Sequence, residues 1–354
     1  MKVLIACGGT GGHLFPGLAV AETLQKRRHE VRLLVSQKAV DHTALAQAQL
    51  SVRALPAIGL QRNPVRFAWR FARAFRDCLD ECQKFQPHVV LGMGGFTSAP
   101  AILAARWRKV PTVIHESNTI PGKANRLVGR FVDRVAVGFA EGGRFFPGKV
   151  VVTGTPVRPA PAPEPVPKNG RRVVLVMGGS QGAHAINEAV ARALPALTGV
   201  EFIHLTGPKD EAPLRAAYAA AGIHATVMSF CNTMESVYRA ADLAVTRAGA
   251  ATLTELAAFG LPAVLVPYPH AAGNHQWHNA RVFERAGAAR LLEENDLHRL
   301  GAVVLGLVED DASRQQMSAK MKTLAAPNAA ERIADLLEEM AGGGKRQLEL
   351  DLAA

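Results

Sequence analysis

The sequence predicts an α/β protein made of two Rossmann-like domains whose parallel sheets face one another across a cleft. Three observations predict it. First, one phrase is written twice: Lys2-Val3-Leu4-Ile5-Ala6-Cys7-Gly8-Gly9-Thr10-Gly11-Gly12 is echoed by Arg172-Val173-Val174-Leu175-Val176-Met177-Gly178-Gly179-Ser180-Gln181-Gly182. Each copy is a short β-prone apolar run, a glycine-rich turn and then a helical pattern, as where a buried parallel strand feeds a helix N-terminus. Second, strand and helix patterns alternate on both sides of the chain's midpoint, which favours doubly wound parallel sheets. Third, Pro159-Ala160-Pro161-Ala162-Pro163-Glu164-Pro165-Val166-Pro167 carries proline at alternate positions. That permits neither a helix nor a paired strand, so the segment is an extended linker.

In chain order, the first domain (residues 1–158) has strands predicted at Val3–Cys7, Val31–Val35, Val52–Leu55, Val89–Gly92, Thr112–His115, Arg134–Val137 and Val150–Thr153. The linker takes residues 159–170. The second domain (171–340) has strands predicted at Val173–Met177, Glu201–Leu205, Ala225–Ser229, Leu243–Thr246, Ala263–Val266 and Ala289–Leu292. Helices from about Ala312 close it, the last of them free to pack back on the first domain. Residues 341–354, opening with glycines, read as a frayed tail. At 354 residues the chain is long enough for two separate cores.

Charge is unevenly placed. Residues 1–158 hold 23 Lys+Arg against 9 Asp+Glu, and residues 159–354 hold 18 against 21. The excess positive charge therefore sits on the first domain and implies an anionic partner there. No apolar run approaches the roughly 18 residues needed to cross a bilayer, and the N-terminus lacks a signal-peptide pattern. The four cysteines, Cys7, Cys78, Cys82 and Cys231, show no paired zinc-ligand spacing and read as reduced and structural.

The glycine turns carry the chemistry. After the first comes His13, placed at a helix N-terminus with Pro16 in the first turn; the dipole there disfavours imidazolium and leaves His13 able to act as a base. A further turn, Gly92-Met93-Gly94-Gly95-Phe96-Thr97-Ser98, opens at the same carboxyl edge, where open α/β sheets bind ligands. Two such turns on one edge suit a pyrophosphate. His115-Glu116-Ser117-Asn118 ends the next strand at that edge, and Glu116 is the alternative base. In the second domain, Ala250-Ala251-Thr252-Leu253-Thr254-Glu255 begins a helix after a strand and offers an N-terminal anion site. Glu255, one turn in, is suited to accept ribose hydroxyls. The polar turn Asn274-His275-Gln276 can hydrogen-bond a sugar.

One segment stands apart. From Gln61 to Phe85 the pattern is helical, with Arg66, Arg70 and Arg73 beside Phe67, Phe71 and Phe75, and with Trp69 and Arg76 added. A basic face next to aromatics suits an anionic membrane surface, and Trp107, flanked by Arg106, Arg108 and Lys109, extends it. Single-stranded nucleic acid binds such faces too, but no nucleic-acid module is visible, so no nucleic-acid partner is expected. An NAD-dependent dehydrogenase is disfavoured because Asp41 falls in a helical pattern past the second strand rather than at its end.

Taken together, GGTGGHLFPGLAVAETL, GMGGFTS, HESN, GTPVR, GGSQGA, TRAGAATLTE and VPYPHAAGNHQ closely resemble the MurG family, from about residue 2 to residue 340 and in the same order. The resemblance implies a GT-B architecture and an inverting glycosyltransferase of peptidoglycan synthesis. Such an enzyme moves N-acetylglucosamine from UDP-GlcNAc to the 4-hydroxyl of the muramyl sugar of lipid I, forming lipid II. It implies a peripheral position on the cytoplasmic face of the cell membrane, with cell-wall synthesis and division proteins as further partners. By resemblance, Thr10, Gly11, Gly12, Asn118, Arg158, Ser180, Cys231, Ala250 to Glu255 and Gln276 bind the donor, and His13 is the candidate base. Gly94, Gly95, Phe96, Thr97 and His115 are assigned to the acceptor. Phe96 stands for a commoner tyrosine, Ala251 for a commoner leucine and Cys231 for an isoleucine, and Gly273-Asn274 replaces two charged residues. No tightly bound cofactor is expected: no Asp-x-Asp motif or other metal motif is present, and a divalent ion that assists remains compatible. The alternative within the same architecture is a UDP-GlcNAc 2-epimerase.

Overall fold

The computed structural model describes residues 1–8, 11–36, 50–55, 63–157, 170–179, 181–231 and 233–352, with side chains up to residue 342. Thr10, Arg158, Ser180, Gln61 and the proline-rich linker fall outside the described residues. The chain divides into two compact units, Met1–Pro159 together with Ala326–Ala354, and Ala160–Ala325.

The first unit holds seven strands: β1 (Lys2–Ala6), β2 (Glu30–Ser36), β3 (Ser51–Leu55), β4 (Val89–Gly92), β5 (Thr112–Glu116), β6 (Arg134–Val137) and β7 (Val150–Val152). They form one sheet in the order β3-β2-β1-β4-β5-β6-β7, with every pairing parallel. Among the described residues it is covered by helices α1 (Gly11–Lys26), α2 (Pro64–Phe85), α3 (Gly95–Trp107), α4 (Lys123–Val128) and, numbered last, α12 (Ala329–Leu352). Val3 and Ile5 of β1 face one apolar layer with Leu14, Leu18 and Leu24 of α1. Leu4 and Ala6 face the other, with Cys78, Cys82 and Phe85 of α2 and Ile102 of α3. A strand buried on both faces is why these segments read as continuous apolar runs rather than as alternation.

The second unit repeats the plan with β8 (Arg172–Met177), β9 (Val200–Leu205), β10 (Ala225–Met228), β11 (Leu243–Thr246), β12 (Ala263–Leu265) and β13 (Ala289–Leu291). Their order is β10-β9-β8-β11-β12-β13, again all parallel. Its helices are α5 (His184–Ala193), α6 (Glu211–Ala220), α7 (Met234–Ala240), α8 (Ala250–Phe259), α9 (His275–Arg285), α10 (Leu300–Glu309) and α11 (Asp311–Thr323). All thirteen strands read from the sequence are present, with ends within one residue. In each sheet the order reverses at one place, between β1 and β4 and between β8 and β11. That reversal is where doubly wound sheets open a crevice for a ligand.

Two expectations change. The second unit ends at Ala325 rather than near residue 340: α12 packs on the first unit, the arrangement the sequence left open. Ile333, Ala334 and Leu337 of α12 are fully buried in the layer that also holds α1, and Arg27 binds Asp335 at 2.6 Å and Glu338 at 3.2 Å. The backbone also stays helical to Leu352 instead of fraying at Gly342. An established helix extends at propagation cost alone, and residues 345–352 include several good helix formers.

Helix α2 is fixed at both ends. Asn63 caps it, its side chain accepting from the Val65 and Arg66 N–H groups at 3.0 and 3.1 Å, and Pro64 takes the first position. Near its far end the buried Glu81 carboxylate pairs with Arg32 of β2 and Arg53 of β3. Burial opposes the charge, but the two guanidiniums hold the carboxyl below the ordinary range. A depressed carboxyl contributes stability above its unfolded pKa of about 4.3, and that contribution is lost as pH falls through the folded value. Glu81→Ala is therefore expected to lower stability at pH 7 by about 1.5–3 kcal/mol, the worth of hydrogen bonds to a charged group. The gap between the variant and the parent protein should narrow below pH 4 in urea unfolding.

Candidate functional site

In the first unit the site is built where β1, β4 and β5 end. The turn after β1 leads into α1, whose first residue is Gly11, so His13 lies in the first helical turn and Pro16 one turn further in than the sequence implied. The turn after β4 places Gly94 at φ 102° and Gly95 at φ 72°, a backbone region that favours glycine. The imidazole of His13 lies against these two glycines. A Cβ on Gly94 would stand 3.0 Å from its Cε1 and 3.1 Å from its Nδ1, and one on Gly95 would stand 3.3 Å from its Cδ2. Nδ1 is enclosed with no hydrogen-bond partner, and Nε2 lies on the Gly95 side of the ring. Burial pushes the His13 pKa below its ordinary 6.5, outweighing the nearby Glu116 charge and the Met93 carbonyl, which act the other way. The ring is thus neutral at physiological pH, through burial more than through the helix dipole.

Glu116 has a different job from the one its position suggested. Its Oε1 accepts from the Asn118 backbone N–H (2.9 Å) and from Asn118 Nδ2 (3.1 Å). Its Oε2 accepts from the Gly122 N–H (3.0 Å) and from Asn125 Nδ2 (2.9 Å). Four donors occupy the carboxylate, so it organises the 118–125 loop and has no lone pair spare to act as a base. His115 is fully buried, with Nε2 on the Gly154 carbonyl at 3.1 Å and Nδ1 near Ser117 Oγ at 3.4 Å. Burial drives its pKa down to about 4. Both nitrogens are engaged inside the unit, so His115 offers nothing to an acceptor. Thr97 is likewise buried in the first turn of α3, while Phe96 is half-buried and meets Phe67 edge-on at 5.9 Å.

In the second unit the turns after β8 and β11 lie side by side at the reversal. Gly182, at φ 76°, packs directly on the Thr206 backbone, where a Cβ would collide with the carbonyl. Helix α8 starts at Ala250 behind Gly249, with no side chain capping it, so the Ala250, Ala251 and Thr252 N–H groups are offered to an anion. Leu253 and Thr254 do not join them. Leu253 is fully buried with its N–H on the Gly249 carbonyl, and the Thr254 hydroxyl donates to the Ala250 carbonyl at 2.8 Å. Gln276 Oε1 accepts from the Ala248 N–H at 3.2 Å and the Tyr268 N–H at 2.9 Å. This ties two loops together and leaves the amide nitrogen to donate. Arg247 reinforces the tie, bonding the Val266 and Pro267 carbonyls and pairing with Glu294. Glu255 is half-buried; burial raises its pKa, and a hydrogen bond from Tyr238 opposes the rise. Cys231 is half-exposed, beside the exposed Phe230.

The sequence matches glycosyltransferase family 28 over both units, its N-terminal domain at residues 3–137 and its C-terminal domain at residues 173–333. A Syntrophus aciditrophicus protein named UDP-N-acetylglucosamine–N-acetylmuramyl-(pentapeptide) pyrophosphoryl-undecaprenol N-acetylglucosamine transferase is 39% identical, over 95% of this chain and 97% of that one. A protein of the same name from Xanthomonas oryzae pv. oryzae is 42% identical, over 98% of this chain and 80% of that one. The chain belongs to the MurG family. The crystal structure of Acinetobacter baumannii MurG superposes with a TM-score of 0.79 at 29% identity, covering 96% of this chain and 100% of that one. The fold is accordingly of GT-B type. The UDP-GlcNAc 2-epimerase of Neisseria meningitidis shares that fold, with a TM-score of 0.70 at 14% identity over 96% of this chain and 100% of that one.

Measured against this MurG-family frame, the structure brings Gly11, Gly12, His13, Gly94, Gly95 and Asn118 to the rim of the first sheet. It brings Ala250, Ala251, Thr252, Glu255, Gln276 and Cys231 to the second. The polar atoms of Glu116, His115 and the Thr254 hydroxyl are already occupied within their units and Leu253 is fully buried, while Thr97 is buried in the first turn of α3. Three residues the sequence did not single out hold the rest in place: Asn125, buried between Glu116 and the His115 carbonyl; Asn279, buried with its amide on the Ala248 carbonyl at 3.2 Å; and Tyr238. A buried polar side chain two residues past a helix start carries no local pattern that would reveal its partner.

The contact of His13 with Gly94 gives a direct test. Gly94→Ala forces a methyl into the imidazole and strains a left-handed backbone, and displacements of about 1 Å can cost 10²-fold in rate. Turnover should fall by about that factor with UDP affinity unchanged, read from steady-state kinetics and calorimetry on a variant of normal thermal stability.

Proposed function

We propose that this chain transfers N-acetylglucosamine from UDP-GlcNAc to the 4-hydroxyl of the muramyl sugar of undecaprenyl-pyrophosphoryl-MurNAc-pentapeptide, inverting the anomeric carbon and forming lipid II. The observation that carries the chemistry is the imidazole of His13, seated on the two glycines and kept neutral by burial, with Nε2 on the Gly95 side. A base within hydrogen-bond reach of the acceptor hydroxyl takes its proton as the new bond to the anomeric carbon forms. The leaving UDP diphosphate gains charge at the same time, and the uncapped start of α8 meets that charge with fixed N–H dipoles. Glu255 accepts from the ribose, and the Gln276 amide donates to the sugar. Among the described residues no three His, Cys, Asp or Glu side chains gather as metal ligands; the reading needs no resident ion and accommodates one that arrives with the diphosphate.

A lipid acceptor stays in its bilayer, so the enzyme must come to it. Among the described residues no helix is long and apolar enough to cross a membrane. The first unit instead presents an aromatic and basic face. Val65 and Trp69 of α2 are 77% and 62% exposed, Arg66 and Arg73 are exposed, Arg70 is half-buried, and the Arg73 guanidinium lies 5.8 Å from the Trp69 ring. Phe71 and Phe75 belong elsewhere: they are half-buried against the core under α2, because their turn of the helix faces the sheet. Helices α2 and α3 start together, as the Phe67–Phe96 contact requires. Trp107, 76% exposed and eleven residues beyond Phe96, therefore stands about 16 Å further along, level with the second half of α2. The proposed contact thus runs along the helical layer, peripheral to the cytoplasmic face. Its neighbours there are the cell-wall synthesis and division enzymes that make the acceptor and use the product.

The test combines both parts. With UDP-GlcNAc and a short-chain, water-soluble lipid I analogue, UDP release and a disaccharide product are expected; UDP-ManNAc formed without any acceptor would instead favour an epimerase. Changing Arg66, Arg70 and Arg73 to Glu should abolish binding to anionic vesicles, since each basic residue contributes about 1 kcal/mol near such a surface. Activity on the soluble analogue should survive. Persistent vesicle binding, or loss of both activities together, contradicts the membrane reading.

A further inference from the structure

Tyr238 lies on α7 and points its hydroxyl at Glu255 of α8. The O–H donates to Glu255 Oε2 at 2.6 Å, the length of a charge-assisted bond. The ring is 3% exposed and packs on Phe259 with centroids 5.2 Å apart. The Phe259 ring also carries the Arg239 guanidinium at 5.2 Å, itself paired with Glu235 at 2.7 Å. Tyr238 is therefore held by packing on all sides and cannot follow Glu255 if the carboxylate turns. Its other polar neighbour is the Met177 sulfur at 4.0 Å, a weak acceptor. The result is an asymmetric carboxylate. Oε2 is bound, while among the described residues no hydrogen bond holds Oε1 of this half-buried side chain.

We propose that Tyr238 is a positioning residue for the nucleotide ribose: it locks Glu255 by one oxygen so that the other faces the ribose hydroxyls, and thereby sets the preference for a ribonucleotide over a deoxyribonucleotide. This rests on the reading of Glu255 as the ribose acceptor. A free carboxylate would have to give up side-chain freedom each time the donor binds; one already locked does not, and preorganisation of this kind appears as affinity. Only the 2′- and 3′-hydroxyls feel the difference, since the base and the diphosphate meet other parts of the unit.

Tyr238→Phe keeps the ring and its contact with Phe259 while removing the lock. The affinities of UDP and 2′-deoxy-UDP would be measured by calorimetry on the parent protein, on Tyr238→Phe, on Glu255→Ala and on the double variant. In Tyr238→Phe, UDP affinity should fall about 5- to 10-fold, as for one hydrogen bond, and the ratio of UDP to 2′-deoxy-UDP affinity should move toward one. The double variant should lose no more than Glu255→Ala alone, and the donor KM should rise far more than kcat falls. An unchanged ratio in Tyr238→Phe, with the ratio collapsed in Glu255→Ala, would overturn the proposal and leave Tyr238 as packing. An equal loss for both nucleotides would do the same. A ratio unchanged in Glu255→Ala would instead remove Glu255 from the ribose, and the proposal would fall with that reading.

Discussion

The site of the first unit depends on one steric fact: the imidazole of His13 lies against two glycines at positive φ, whose added Cβ atoms would crowd it. Strands β1 and β4 pair directly, with Ala6 opposite Gly92, so the turns that follow them are neighbours although 85 residues separate His13 from Ser98. With both turns at one edge, the ring from one must lie on the backbone of the other. Gly94 and Gly95, both at positive φ, make that contact possible. The same contact encloses Nδ1 and adds to the burial that lowers the proton affinity of the ring. Geometry and protonation state thus have a common origin in strand order.

The second unit solves a different problem with the same topology. Its reversal between β8 and β11 brings a glycine turn next to a helix N-terminus, which suits an anion but selects none. In the proposed reading, selection comes from side chains locked by one end. Gln276 spends its carbonyl on two backbone N–H groups and keeps its amide. Glu255 spends one oxygen on Tyr238 and keeps the other. Arg247 spends its guanidinium on carbonyls and Glu294 and, with its ring contact at 5.3 Å, braces Tyr268. In each case a group is oriented by what it has already bound, so little ordering is left for the ligand to cost.

Strands, turns and the placement of polar residues at carboxyl edges were legible in the sequence because each depends on a local period or a glycine turn. Saturation was not. Glu116 and His115 look like catalytic residues at a strand end, and only the folded 117–125 loop and Gly154 show that their polar atoms are occupied. Leu253 and Thr254 lie inside a stretch that matches a donor-binding motif, yet their side chains turn to the core and to the helix's own backbone. The arginine stripe of α2 stood out in sequence, but the aromatic stripe beside it divides, with Trp69 outward and Phe71 and Phe75 inward. The docking of α12 on the first unit depends on contacts made some 300 residues apart, such as Arg27 with Asp335, which no local pattern announces.

The central claim is that His13, kept neutral by burial, takes the proton of the acceptor hydroxyl. The most direct measurement is the pH dependence of kcat/KM for the parent protein and His13→Ala, with UDP affinity followed in parallel. The parent rate should fall on the acid side with an apparent pKa below the ordinary 6.5 of histidine, since protonation removes the base. His13→Ala should lose about 10²-fold or more in turnover, together with that acid limb, and bind UDP normally. A variant that keeps near-parental turnover, or that keeps the same acid limb, would contradict the account and leave His13 as a residue that only fills the space above Gly94 and Gly95.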